Sequence, residues 1–224
     1  FPTRRSSDLD LTTMSQPIPE IKMILLGESG VGKTSIIKRY LQDRFDLNET
    51  STLSMSYVGQ LKEIDGQKIQ LNIWDTIGQE KYRSISKLFL NETKIVILVY
   101  SIVSKRSFEE LNYWYKYTEN FLGENVALYG VVGNKIDLFD KEEELKEQKK
   151  DIEFVDVNSA KEFANRIEAK FCEASAKTNI ESFSEIIIEL VEQYVNEREI
   201  ENRNNIVVEK NTKVSDKKYT KFNV

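Results

Sequence analysis

The chain has 224 residues, 40% of them hydrophobic and 31% charged, which suits one domain with its own core and some polar tail. A net charge of −5 and an isoelectric point near 5.2 argue against nucleic-acid binding, which draws on a basic surplus. Histidine is absent and Cys172 is the sole cysteine, excluding Ser-His-Asp triads, histidine general bases, an internal disulfide and nearly every zinc site.

Residues 1–9 (FPTRRSSDL) read as translated adapter sequence, so 1–13 are set aside as a non-native leader and Met14 is taken as the natural start. The domain is expected over 14–196. Ile21–Leu26 is an apolar run of strand length ending on Gly27, and helical spacing follows over Ser35–Leu41. Asp43–Ser54 reads as loop. Met55–Ile64 and Lys68–Trp74 alternate loosely around Asp65-Gly66, a hairpin signal. Ile95–Tyr100 and Ala127–Val132 are continuous apolar runs, as strands covered on both faces should be. Between them Phe108, Leu111, Trp114, Tyr115 and Phe121 form a helical stripe. A charge-dense insert occupies 139–153. A helix over Ser159–Ile167, a short strand over Lys170–Glu173 and an amphipathic helix over Ser182–Tyr194 complete the domain, and 197–224 is expected to be a disordered tail. No apolar run reaches the roughly 18 residues that a membrane span needs.

Strands alternating with helices predict an α/β fold of six strands, a mostly parallel sheet with one antiparallel edge, and about five helices on both faces. Gly27-Glu28-Ser29-Gly30-Val31-Gly32-Lys33-Thr34 fits the phosphate-loop pattern G-x-x-x-x-G-K-[ST], directly after a strand and opening a helix. The glycines let backbone N–H groups point at phosphate oxygens, and the helix N-terminus adds partial positive charge. Lys33 is placed to reach the β- and γ-phosphates and the Thr34 hydroxyl to ligate magnesium. The loop's residues Glu28 to Thr34, with Ser35 next in line, form the candidate phosphate site.

That loop alone does not separate ATP from GTP users; three later segments do. Asp75-Thr76-Ile77-Gly78-Gln79 ends a strand, where Asp75 can hold magnesium through water and the Gly78 N–H can touch a γ-phosphate. Asn134-Lys135-Ile136-Asp137 follows a buried strand, and Asp137 can accept two hydrogen bonds from guanine, which adenine cannot offer. Ser175-Ala176-Lys177 follows the last strand, where the Ala176 amide can donate to the guanine carbonyl oxygen. All these segments fall at strand carboxyl ends, where open α/β sheets bind ligands.

In this order and spacing the motifs resemble those of Ras-superfamily small GTPases, over about Glu20 to Tyr194. The text at Asn72–Ile85 (NIWDTIGQEKYRSI), with LVYSI at Leu98–Ile102, is most similar to the Rab branch. The resemblance implies a P-loop NTPase G domain that binds GTP or GDP with Mg2+, hydrolyses GTP slowly and regulates vesicle traffic through effectors. It implies that Thr52 completes the magnesium shell in the GTP state, that Phe45 lies against the guanine base, and that Gln79 positions the attacking water. Tyr57, Trp74 and Phe89 match an aromatic triad offered to effectors. An exchange factor and a GTPase-activating protein are implied as further partners.

Several positions depart from the pattern. Ile77 stands where the family nearly always has alanine, Ser54 replaces a glycine, Ser101 replaces an aspartate, and the insert after Asp137 is long. The chain as written carries no C-terminal cysteine for prenylation, so it is expected to be cytoplasmic, reaching membranes only through a partner or an extended C-terminus. Two rival readings remain: a GTP-loaded, non-hydrolysing Rab-like scaffold disabled by Ile77, and a P-loop ATPase or nucleotide kinase, against which Asn134–Asp137 argues.

Overall fold

A computed structural model describes residues 18–49, 56–64, 66–76, 87–123, 128–141, 143 and 152–219, with backbone alone at 87–88 and 201–219. β1 (Glu20–Leu26) is apolar along most of its length because both of its faces are covered. Ile21, Met23 and Leu25 enter one core layer, while Ile24 and Leu26 enter the other. β4 (Thr93–Ser101) divides in the same way, with Ile95, Ile97 and Val99 on one side and Val96, Leu98 and Tyr100 on the other. The period of two in each strand thus builds two cores at once.

β1 pairs in parallel with β3 (Gln67–Asp75) and β4, and β5 (Leu128–Asn134) and β6 (Lys170–Ala174) extend the parallel array. β2 (Ser56–Ile64) is the antiparallel edge, which gives the sheet the order β2-β3-β1-β4-β5-β6. Ile64 pairs with Gln67, leaving a two-residue turn in which Gly66 takes φ +77°, a conformation glycine adopts without steric cost.

The first core layer lies under α1 (Lys33–Gln42) and the start of α6 (Glu181–Tyr219), through Ile36, Ile37, Phe183, Ile186, Ile187, Leu190 and Val191. The second lies under α4 (Leu111–Leu122) and α5 (Val157–Arg166), through Leu111, Trp114, Ala160, Phe163 and Ala164. α3 (Lys105–Glu109) precedes α4 with Glu110 alone between them. Ser104 and Asp156 start α3 and α5 as N-caps, each side chain accepting from the backbone N–H three residues on.

The six expected strands are present, with no end shifted by more than two residues. Two short elements have no counterpart in the sequence reading: α2 (Lys87–Leu90) and a 3₁₀ turn over Ile136–Lys141 at the start of the insert. Four to six residues are too few to show a period. The last helix runs past the end of its apolar pattern: that pattern stops at Tyr194, and the backbone is helical over Glu181–Tyr219. Falling hydropathy reports the loss of a packed face, whereas residues 181–219 contain no glycine or proline and many straight-chain polar residues that favour helix. The expected leader, residues 1–13, lies outside the described residues, as does most of the insert.

Candidate functional site

The carboxyl ends of β1, β5 and β6 open onto a cavity of about 330 Å³. Strand order reverses at β1, whose neighbours β3 and β4 lead to opposite halves of the sheet, and such a point leaves a crevice for a ligand. The phosphate loop and α1 contribute Ser29, Gly30, Gly32, Lys33, Thr34 and Ser35 to its wall. Phe45 enters from the loop after α1, Asn134, Lys135 and Asp137 from the end of β5, and Ala176 and Lys177 from beyond β6. Glu28, Val31 and Ser175 sit behind this wall and bond to it. Thr52, Ser54, Ile77, Gly78 and Gln79 lie outside the described residues.

The loop needs its glycines for close approach. Gly27 has φ +149°, and a Cβ there would collide with the Val99 carbonyl; Gly32 has φ +97°, and a Cβ would collide with the Asn134 side-chain amide. Lys33 folds back across the loop, its Nζ donating to the carbonyls of Gly27 and Glu28, each at 2.9 Å. With 5% of its surface exposed, the ammonium is pushed down to about 8 by burial, against the opposing pull of Asp75 and Glu28. It therefore remains mainly charged at neutral pH. A cation and a ring of amides beside a helix N-terminus make a receptor for phosphate.

Thr34 Oγ1 donates to Asp75 Oδ2 at 2.6 Å, linking the start of α1 to the end of β3. Asp75 Oδ1 is buried without a hydrogen-bond partner among the described residues, and burial raises the carboxyl above its ordinary range. A hydroxyl and a carboxylate with an unsatisfied oxygen form a hard-oxygen pair that fits Mg2+, which takes one or two protein ligands beside water and substrate phosphate. Next to it, Thr76 donates to the Leu25 carbonyl at 2.6 Å and fixes the end of β3 against β1.

At the opposite end Asn134 acts as a tie. Its Nδ2 donates to the Val31 carbonyl at 2.8 Å and its Oδ1 accepts from the Ala176 N–H at 3.2 Å, so one side chain joins three motifs. Lys135 takes φ +72° and its Nζ donates to the Gly30 carbonyl at 2.6 Å. Ser175 donates to Asp137 Oδ1 at 2.5 Å, while its own oxygen accepts from the N–H groups of Lys177 and Thr178 at 3.1 Å. The carboxylate is thereby held in one orientation at the cavity wall.

The wall also includes residues to which the sequence reading gives no role: Asp46, Leu47, Glu49, Thr76 and Leu138. Thr76 lies within one motif, next to Asp75, and Leu138 directly follows Asp137, so adjacency is the available signal. Asp46, Leu47 and Glu49 belong to a stretch without period, where Glu49 is fixed by an ion pair to Lys38 at 2.6 Å. Away from the cavity, the three aromatics expected to meet effectors are in fact contiguous. Tyr57 and Trp74 have ring centroids 5.3 Å apart, Trp74 and Phe89 6.1 Å apart, and Tyr57 is 53% exposed.

Comparison with known proteins bears on this geometry. The family model described as the Ras family matches residues 22–196. Ras-related protein Rab-18 of Caenorhabditis elegans is 33% identical over 194 residues, covering 82% of this chain and 88% of that protein. GTP-binding protein ypt2 of Schizosaccharomyces pombe is 33% identical over 191 residues, covering 84% and 90%. Ras-related protein Rab-12 of Homo sapiens is 36% identical over 174 residues, covering 77% and 66%.

Proposed function

Because the chain belongs to the Ras family of small GTP-binding proteins, we propose that it is a Rab-like switch that hydrolyses GTP slowly and regulates vesicle-mediated transport through effectors. As a member of that family it is a GTPase, converting GTP and water to GDP and phosphate. The observation that carries the reading is a cavity that unites the Lys33 phosphate cradle with the Asp137 carboxylate.

In this reading Lys33 and the loop amides hold the β- and γ-phosphates and counter the charge that spreads over them as the γ-phosphorus leaves the bridging oxygen. Asp137 accepts from the ring N–H and amino group of guanine, the Ala176 N–H donates to its carbonyl oxygen, and Phe45 covers the base. Thr34, and Asp75 through water, would hold Mg2+, with Thr52 joining them in the GTP state; the ion would supply charge neutralisation for the phosphates. Gln79 orients the water, whose oxygen forms the new bond to phosphorus as the bridging bond breaks and a proton is released. The γ-phosphate holds Thr52 and Gly78, so its loss frees both loops. Among the described residues the cavity wall holds no arginine, and turnover is assigned to an activating protein, with an exchange factor resetting the cycle. Among the described residues no helix is long and apolar enough to cross a membrane.

Competition between GTP and ATP, followed by single-turnover hydrolysis in wild type and Gln79→Leu, tests this reading. It expects selective GTP binding and slower hydrolysis in the variant. ATP binding as tight as GTP refutes it. The sequence feature that favours a second reading is Ile77 beside Gly78: if wild type binds GTP yet hydrolyses it no faster than Gln79→Leu, the protein is a GTP-loaded scaffold.

A further inference from the structure

Within the phosphate loop Glu28 is the one acidic residue, in a segment whose task is to attract a polyanion. Its carboxylate is 13% exposed and meets a cation from outside the loop: Arg106 of α3, with Nε 3.1 Å from Oε1. Glu28 also reaches the site through its backbone, since its carbonyl accepts from Lys33 Nζ at 2.9 Å.

Arg106 is well placed to do this. Ser104 caps the start of α3, accepting from the Ser107 N–H at 3.3 Å. The buried Ser107 hydroxyl donates to the Ser104 carbonyl at 2.7 Å and accepts from the Ser101 N–H at 3.0 Å. The arginine, one residue before Ser107, is thus anchored to the end of β4. Its guanidinium is 62% exposed, so the pair is worth little as a stability device. Its effect on a neighbouring polyanion is a separate matter. An uncompensated carboxylate in the loop repels every bound phosphate, and the low-dielectric wall on its buried side sustains that repulsion.

We propose that Arg106 is a positioning residue for nucleotide binding, acting through Glu28: its guanidinium cancels the carboxylate charge that would otherwise oppose the phosphates. The inference rests on the nucleotide reading of the cavity. It differs from a mechanical tether in a way that can be measured, because a tether fails when either partner is lost, whereas a charge device is rescued when the offending charge is removed as well.

The experiment measures GTP and GDP dissociation constants for wild type, Arg106→Ala, Arg106→Lys and the double variant Glu28→Gln with Arg106→Ala, at low and high salt. Arg106→Ala is expected to weaken GTP by about three- to tenfold at low salt, GDP by less because it carries less charge, and both by less at high salt. Arg106→Lys and the double variant recover most of the loss. Unchanged binding by Arg106→Ala, or a double variant no better than Arg106→Ala, overturns the inference while leaving the nucleotide reading intact. Wild-type protein that binds no guanine nucleotide overturns both.

Discussion

The Thr34 hydroxyl and the Asp75 carboxylate are joined by a 2.6 Å hydrogen bond, across a sequence separation of 41 residues. That bond holds the first turn of α1 against the end of β3 and presents two hard oxygens side by side. Replacing the hydroxyl with an amide in Thr34→Asn removes one of them and crowds the other. The variant should lose about ten- to hundredfold in GTP affinity, and less for GDP, since interactions of this kind with charged groups contribute about 1.5–3 kcal/mol. Chelating magnesium should speed GTP release from wild type and change little in the variant. Equal sensitivity to chelation would remove Thr34 from the metal site.

Asp137 is oriented by Ser175 at 2.5 Å, and Ser175 is in turn fixed by two backbone N–H groups. Asp137→Asn exchanges an acceptor for a group that also donates, so preference should move from guanine toward xanthine nucleotides. The loss for GTP is expected at roughly 2–3 kcal/mol. Ser175→Ala should produce a smaller loss with unchanged base preference, because the carboxylate remains but is less well held. Competition binding with GTP and XTP reads both outcomes, and GTP affinity unaltered in Asp137→Asn would misplace the base.

Cys172 gives a pH-dependent readout of folding itself. The side chain is 7% exposed in β6, and burial pushes its thiol up to about 12 from an ordinary value near 9. The sign follows from which state loses its proton first. Below pH 9 both states keep the proton and the contribution to stability is full; as pH rises from 9 toward 12 the unfolded thiol ionises ahead of the folded one, and stability falls. At pH 8.5 iodoacetamide should therefore modify Cys172 only as fast as the domain opens, with nucleotide slowing the reaction further. Rapid labelling of the folded protein would show the strand to be accessible.

Strands covered on both faces are legible in the sequence as IKMILL and IVILVY, and each binding motif lies at the carboxyl end of a strand, so topology alone brings the motifs together. What is not legible depends on contacts between distant segments. Asn134 reads as one letter of a base-recognition motif, yet its amide joins the phosphate loop to the segment after β6. The Glu28–Arg106 pair spans two segments that share no pattern. The continuation of α6 to Tyr219 escapes a hydropathy criterion because its cause is backbone preference, to which hydropathy is blind. Thr52 and Gln79 take their proposed roles from the resemblance, and Gly78 from its place in the motif after β3.

The aromatic row provides a final prediction, and the composition makes it practical. The chain has two tryptophans, Trp74 and Trp114. Trp114 is 4% exposed in the core under α4, whereas Trp74 is half-buried between Tyr57 and Phe89, with the Lys22 ammonium 4.8 Å from its ring. Trp74 also directly precedes Asp75, whose carboxylate is bonded to Thr34 at the phosphate end of the cavity. A change at the γ-phosphate that moves the end of β3 should alter the packing of this indole and the polarity around it. In a Trp114→Phe background, exchanging GDP for a non-hydrolysable GTP analogue should shift the intensity or maximum of the remaining emission. Adding Tyr57→Ala should blunt that shift by removing one wall of the indole's surroundings, while nucleotide affinity falls by no more than about threefold, as befits a side chain off the cavity wall. If both nucleotides give the same emission in the Trp114→Phe protein, the aromatic row does not sense the bound nucleotide, and its assignment as the surface that partners read loses its support.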